Sequence, residues 1–220
     1  MQIDPARVLG LVTHSVRNFE KDGKPASAVT LTRLYDTSTE DLWEAVTSKQ
    51  RIPRWFLPIE GDLSLGGRYQ LKGNAGGIIT ECSPPNHFAA TWEFGKATSW
   101  IDVAVSAEGG KARLTLEHTA LVEDHWSRFG PGAVGIGWDL ALVGLAQHLS
   151  NGASVDHTEA EAWMQSPNGK EFIRRSGESW REAHVASGVE ATSAKERSDR
   201  TIAFYCGELP PDMAHPGTGS

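Results

Sequence analysis

The longest apolar run in the chain, Gly132 to Leu149 (GAVGIGWDLALVGLAQHL), places hydrophobic residues on nearly every side of a helix and carries one formal charge, Asp139. A helix that is apolar all round is normally a buried one. About 20 apolar residues would also suffice to cross a bilayer, but this run contains internal glycines, a mid-helix Asp, a Gln and a His, and no Lys or Arg follows closely. It is therefore expected to lie in a concave surface supplied by the strands before it.

Those strands show in the alternation of apolar and polar positions. Segments from about Leu9 to Phe19 and from Ala28 to Tyr35 favour extended structure, and Asp22-Gly23 between them is a hairpin turn signal. The period then changes. Asp36-Thr37-Ser38 offers N-cap residues for a helix whose Leu42, Trp43, Ala45 and Val46 share a face, and Pro53 opens a second short helix that Pro58 ends. Next, Gly66-Gly67, Gly76-Gly77, Pro84-Pro85, Gly95 and Gly109-Gly110 punctuate five extended segments, the pattern of an antiparallel meander. Alternation puts Tyr69 with Leu71, Phe88 with Trp92 and Phe94, Ile101 with Val103 and Val105, and Leu114 with Leu116 and His118 on faces directed at the long helix.

Past Leu149, Asn151-Gly152 is a helix stop, and the segments Thr158 to Gln165 and Gly169 to Ala186 are amphipathic, anchored by Trp163, Phe172, Ile173 and Trp180. They are expected to pack outside the domain. The division expected is an N-terminal arm and first hairpin strand over 1–26, a ligand-binding domain over 27–152, a helical extension over 153–187 and a mostly irregular tail over 188–220. Residues 1–8 read as a loose arm, PPDMAHPGTGS as disordered, and the apolar Ile202 to Cys206 as a docked patch.

Composition narrows the function classes. A net charge of −7 with scattered Lys and Arg argues against nucleic acid as a partner. Cys82 and Cys206 lie too far apart in sequence to suggest a metal motif or a disulfide framework, and the N-terminus shows no secretory h-region, so a cytoplasmic, non-membrane protein is expected. Eight tryptophans point to large aromatic surfaces in a core or pocket.

The order of a hairpin, two short helices, a meander and a long helix resembles the α+β helix-grip fold of the START/Bet v 1-like (SRPBCC) superfamily, a curved antiparallel sheet wrapped around a C-terminal helix. More narrowly, TRLYDTSTEDLWEAVTSKQRIPRWFLP, GDLSLGGRYQLKGNAGGIITECSPP, TWEFG and HTALVEDHW resemble the family named after the activator of Hsp90 ATPase, over about Ala28 to Gly152. That resemblance implies a cavity between sheet and helix and a hydrophobic small molecule as partner. Because some superfamily members are cyclases, it also implies a polyketide-cyclase-like enzyme as an alternative. A chaperone or protein-interaction module is a third reading, with a homodimer or chaperone contact. The eponymous co-chaperones carry an additional N-terminal domain, which the short arm here does not match.

The candidate ligand-binding residues are Trp55, Phe56, Tyr69, Trp92, Phe94, Trp100, His118 and Trp138, although Trp100 alternates with Ile101 onto the other face. No catalytic set stands out. His118 and Asp139 are the candidates for an acid/base pair reaching the cavity, against the plainer reading of His118 as a hydrogen-bonded core residue. His118 and His125 with Glu123 or Asp124 lack a spacing that aligns metal ligands, so neither metal nor cofactor is expected. Gly130-Pro131-Gly132-Ala133-Val134-Gly135 is formally GxGxxG, yet no strand directly precedes it and no parallel βαβ unit surrounds it. Its proline and glycines read instead as a helix start that permits close packing.

Overall fold

The computed structural model describes residues 4–209. Strands β1 (Val12–Lys21), β2 (Lys24–Tyr35), β3 (Ile59–Gly61), β4 (Arg68–Leu71), β5 (Gly76–Ser83), β6 (His87–Phe94), β7 (Ala97–Glu108) and β8 (Lys111–Leu121) form one antiparallel sheet in the order β1-β2-β8-β7-β6-β5-β4-β3. Local turn chemistry sets its hairpins. Asp22 and Gly23 both take positive φ, as do Gly109 and Gly110, so the two tight turns match the twist of their strands and fix the registers Lys21↔Lys24 and Glu108↔Lys111.

Between β2 and β3 lie α2 (Thr39–Thr47) and α3 (Ile52–Trp55). Ser38 caps α2 by accepting from the Asp41 amide, and Leu42, Ala45 and Val46 are its buried face. The long helix α5 (Gly132–Asn151) follows a short α4 (Asp124–Phe129) and ends at Gly152 in the left-handed conformation. The formal GxGxxG thus straddles the α4–α5 junction.

Three helices follow: α6 (His157–Gln165), α7 (Pro167–Ala186) and α8 (Ala191–Tyr205). The last replaces the irregular segment expected from residue 188, and a short α1 (Pro5–Leu9) occupies part of the expected loose arm. In α1, Leu9 is buried with Val143, Trp163 and Phe172. The stretch PPDMAHPGTGS lies outside the described residues. Among the described residues no helix is long and apolar enough to cross a membrane.

Helix α5 is a middle layer, with the sheet on one side and α7 and α8 on the other. Its glycines mark the closest approaches. A Cβ on Gly135 would fall 2.2 Å from the Trp180 indole, and one on Gly144 would fall 2.3 Å from the Trp55 carbonyl oxygen. Asp139, 1% exposed, is held by three donors from the surrounding layers: His14 Nε2 of β1 at 2.8 Å, Ser176 Oγ at 2.6 Å and Trp180 Nε1 at 3.0 Å, the last two from α7.

This packing sets a clear expectation for Gly135→Ala. Helix propensity alone would reward the change by about 1 kcal/mol, but the new methyl must displace the buried Trp180 ring, and overpacking costs about 1–3 kcal/mol. Urea denaturation should show a lower midpoint than the parent chain. A raised midpoint would mean that Trp180 does not rest on Gly135.

Candidate functional site

Between α5 and the β4–β8 part of the sheet lies a cavity of about 110 Å³. The sheet contributes Tyr69 and Leu71, Ile79 and Cys82, Phe88, Ala90 and Trp92, and the inward residues of β7 and β8, while α5 contributes Trp138 and Leu142. On the α2–α3 side the wall is completed by Val46 and Thr47 of α2, Ile52 and Trp55 of α3, and Phe56, Ile59 and Leu63 beyond it. A β-bulge between Ile79 and Glu81 explains how Ile79 and Cys82 both face inward while Thr80 and Glu81 are exposed.

Large rings dominate the wall, and each is braced. Trp55 stacks on Phe56 with centroids 5.5 Å apart, Phe56 on Trp138 at 5.7 Å, and Trp92 meets Trp138 at 5.1 Å with a tilt of 56°. The Trp55 indole donates to the Ala45 carbonyl at 2.9 Å, and the Tyr69 hydroxyl to the Thr91 carbonyl at 2.8 Å. Trp138 Nε1 donates to His118 Nδ1 at 3.0 Å.

That last bond settles the role of His118. An indole N–H can only donate, so Nδ1 is the unprotonated nitrogen and the proton sits on Nε2, which faces Ser99 Oγ at 2.8 Å. The Ser99 hydroxyl in turn donates to the Trp92 carbonyl at 3.0 Å. Both imidazole nitrogens are occupied, and the chain of bonds ties Trp138 to the strand carrying Trp92. Burial pushes the His118 pKa from 6.5 down to about 4, which keeps the ring neutral.

Several sequence candidates meet here and others do not. Trp55, Phe56, Tyr69, Trp92 and Trp138 line the cavity. His118 stands behind Trp138 without lining it, and Asp139, the next residue of α5, is spent on His14, Ser176 and Trp180. The two do not form an acid/base pair in the cavity. Phe94 is 61% exposed because it pairs with Ala97 at the tip of the β6–β7 hairpin, beyond the helix. Trp100 points to the opposite face, where the Lys21 ammonium sits 4.4 Å from its ring centroid. Sequence reasoning missed Val46 as a wall residue although it lay on the recognised face of α2. Leu63 sits in a loop with no periodic signal. Among the described residues no three His, Cys, Asp or Glu side chains converge as a metal site requires.

A family model described as Activator of Hsp90 ATPase homolog 1-like protein matches residues 36–150, slightly more than half of the 220 residues. The chain belongs to this family. The match to this AHSA1 family runs from the turn after β2 through nearly all of α5, and so takes in every element that lines the cavity. Among solved structures, the chain is similar to CalU16 from Micromonospora echinospora. The solution structure of CalU16 has 27% identity and a TM-score of 0.69, covering 80% of this chain and 96% of CalU16. The crystal structure of CalU16 gives 26% identity and a TM-score of 0.62, covering 78% and 97%. Residues up to the end of α5 make up less than about 70% of the chain, so this likeness reaches into the extension beyond the family match. MLL2253 from Mesorhizobium loti shares the fold at 18% identity and a TM-score of 0.50, covering 55% of this chain and 94% of that protein. No curated protein matches.

The buried histidines predict how stability depends on pH. His184 of α7 is 1% exposed, and burial, with the Arg197 charge nearby, lowers its pKa to about 4 as well. In the unfolded chain each imidazole binds a proton near pH 6.5, whereas in the folded chain each resists it until about pH 4. Between those values the unfolded state carries more protons, so stability is full above the window and falls as pH drops through it. Two such groups lower the folded-to-unfolded ratio by up to about a hundredfold per pH unit. Denaturation midpoints measured through the window should decline with acid, and less steeply in His118→Gln. A flat profile would contradict burial of these rings in the neutral form.

Proposed function

We propose that the protein binds a hydrophobic small molecule in the cavity between the sheet and α5. The observation that carries this reading is the wall itself: large aromatic and aliphatic side chains surround an opening that they are braced not to fill. Pockets of this kind, apolar with few polar groups, are the usual sites for small-molecule ligands. Membership of the AHSA1 family and the likeness to CalU16 support the same reading.

Binding without chemistry is favoured over a cyclase-like activity. No residue lining the cavity carries a carboxyl, imidazole, ammonium or guanidinium group, and both nitrogens of His118 are already bonded. A proton-transfer role needs a titratable group within reach of the substrate, and of the two in the wall the Tyr69 hydroxyl is bonded to the Thr91 carbonyl, which leaves only the Cys82 thiol. The extension is better explained as part of the core than as a chaperone-binding surface, because Phe172, Ile173 and Trp180 are at most 1% exposed against the rest of the chain. Two free thiols, Cys82 and Cys206, suit a reducing compartment such as the cytoplasm.

Filling the cavity tests the reading. Ala90, 1% exposed between Phe88 and Trp92, has room to its cavity side for a larger ring. A fluorescent probe with an apolar ring system, such as 1-anilinonaphthalene-8-sulfonate with its sulfonate at the cavity mouth, should bind the parent chain at about one equivalent and bind Ala90→Phe at least tenfold more weakly. Leu116→Phe serves as a second filling variant should the first not fold. Unchanged probe affinity in a folded filling variant would place binding elsewhere and refute the proposal.

A further inference from the structure

The hydrogen-bond inventory of the cavity wall restricts the ligand more tightly than apolarity does. Of the lining side chains that can donate, Trp55 Nε1 is bonded to the Ala45 carbonyl and Trp138 Nε1 to His118 Nδ1. The Tyr69 hydroxyl is bonded to the Thr91 carbonyl and the Thr47 hydroxyl to the Trp43 carbonyl at 2.7 Å. Each of these donors is a strong one, and each points away from the void into the protein. What remains is Trp92, whose indole N–H has no partner among the described hydrogen bonds, and the weakly donating Cys82 thiol. A ligand carbonyl, carboxylate or ether oxygen taken into this space loses its water and can regain at most one good donor. An acceptor left unpaired in an apolar interior is strongly disfavoured.

The same wall also prefers rings. Phe56, Trp55, Trp138 and Trp92 form a continuous aromatic surface, and aromatic pairs in offset-stacked or edge-to-face contact gain energy beyond simple burial. We infer that the buried part of the ligand is an aromatic ring system carrying no more than one hydrogen-bond acceptor, with any further oxygenated groups confined to the cavity mouth. The partly exposed lining residues, Thr47, Phe56, Ile59, Leu63, Cys82, Phe88 and Trp92, mark that mouth. This rests on the cavity reading above and names the ligand class that the cavity selects.

Three probes on one ring skeleton separate the possibilities: anthracene, pyrazino[2,3-g]quinoxaline, which replaces two carbons of each terminal ring by nitrogen acceptors so that at least two are buried whichever edge faces the mouth, and perhydroanthracene, which is saturated. Affinities are measured for the full chain by quenching of tryptophan fluorescence for the first two, and by competition against anthracene for the third. Anthracene should bind tightest, the tetraaza analogue at least tenfold more weakly, and perhydroanthracene several-fold more weakly, with anthracene binding lost in Ala90→Phe. The tetraaza analogue binding as tightly as anthracene would overturn the limit on acceptors while leaving the cavity reading intact. Equal binding of perhydroanthracene would overturn the aromatic preference. If none of the three binds, or if Ala90→Phe binds anthracene as the parent does, the cavity reading itself fails and the ligand class fails with it.

Discussion

A helix with no polar face must be covered on every side, and α5 meets that demand by lying between two layers. The sheet covers one side and α7 with α8 covers the other. Its single charged side chain, Asp139, makes the arrangement specific rather than merely greasy. A buried carboxylate is several kcal/mol too costly to keep unless it is paired and hydrogen-bonded, and the three donors to Asp139 come from β1 and from α7. Removing the extension would expose the back of α5 and strip Asp139 of two of those donors. The extension is therefore a structural layer of the domain, held in register by one carboxylate.

Trp138, next to Asp139 on the helix, shows the same economy on the cavity side. Its indole N–H finds His118, His118 finds Ser99, and Ser99 finds the Trp92 backbone. A buried histidine near an apolar cavity invites a catalytic interpretation. Here its tautomer is dictated by a donor that cannot reverse, and its pKa is lowered by burial, so it serves as a bracket for two wall tryptophans.

How much of this was legible beforehand depends on how local the signal was. Asp22-Gly23 and Gly109-Gly110 encode their turns directly, and β1, β2, β7 and β8 follow from them. The all-round apolar pattern of α5 announced a buried helix without naming its second cover. Helix α8 escaped because its inward residues, Ala194, Ser198 and Thr201, recur at helical spacing but are small or polar, so no hydrophobic stripe marks them. Phe94 followed the alternation correctly and still missed the cavity, because alternation gives a face and not the extent of the layer that covers it. The partners of Asp139 lie 37, 41 and 125 residues away, and no local pattern could select them.

The persistence of the cavity itself calls for a physical cause, since an unfilled apolar space forgoes packing energy. Large flexible side chains would ordinarily collapse into it. The wall resists because its bulky rings are fastened at their polar atoms: Trp55 to the backbone of α2, Tyr69 to β6 and Trp138 to β8 through His118. Moving any of these rings inward would break a buried hydrogen bond, which costs about 1–3 kcal/mol each. The fastenings that hold the space open also consume the donors that a polar ligand would need. Keeping the cavity open and keeping it selective for apolar aromatic surface are thus consequences of the same hydrogen bonds.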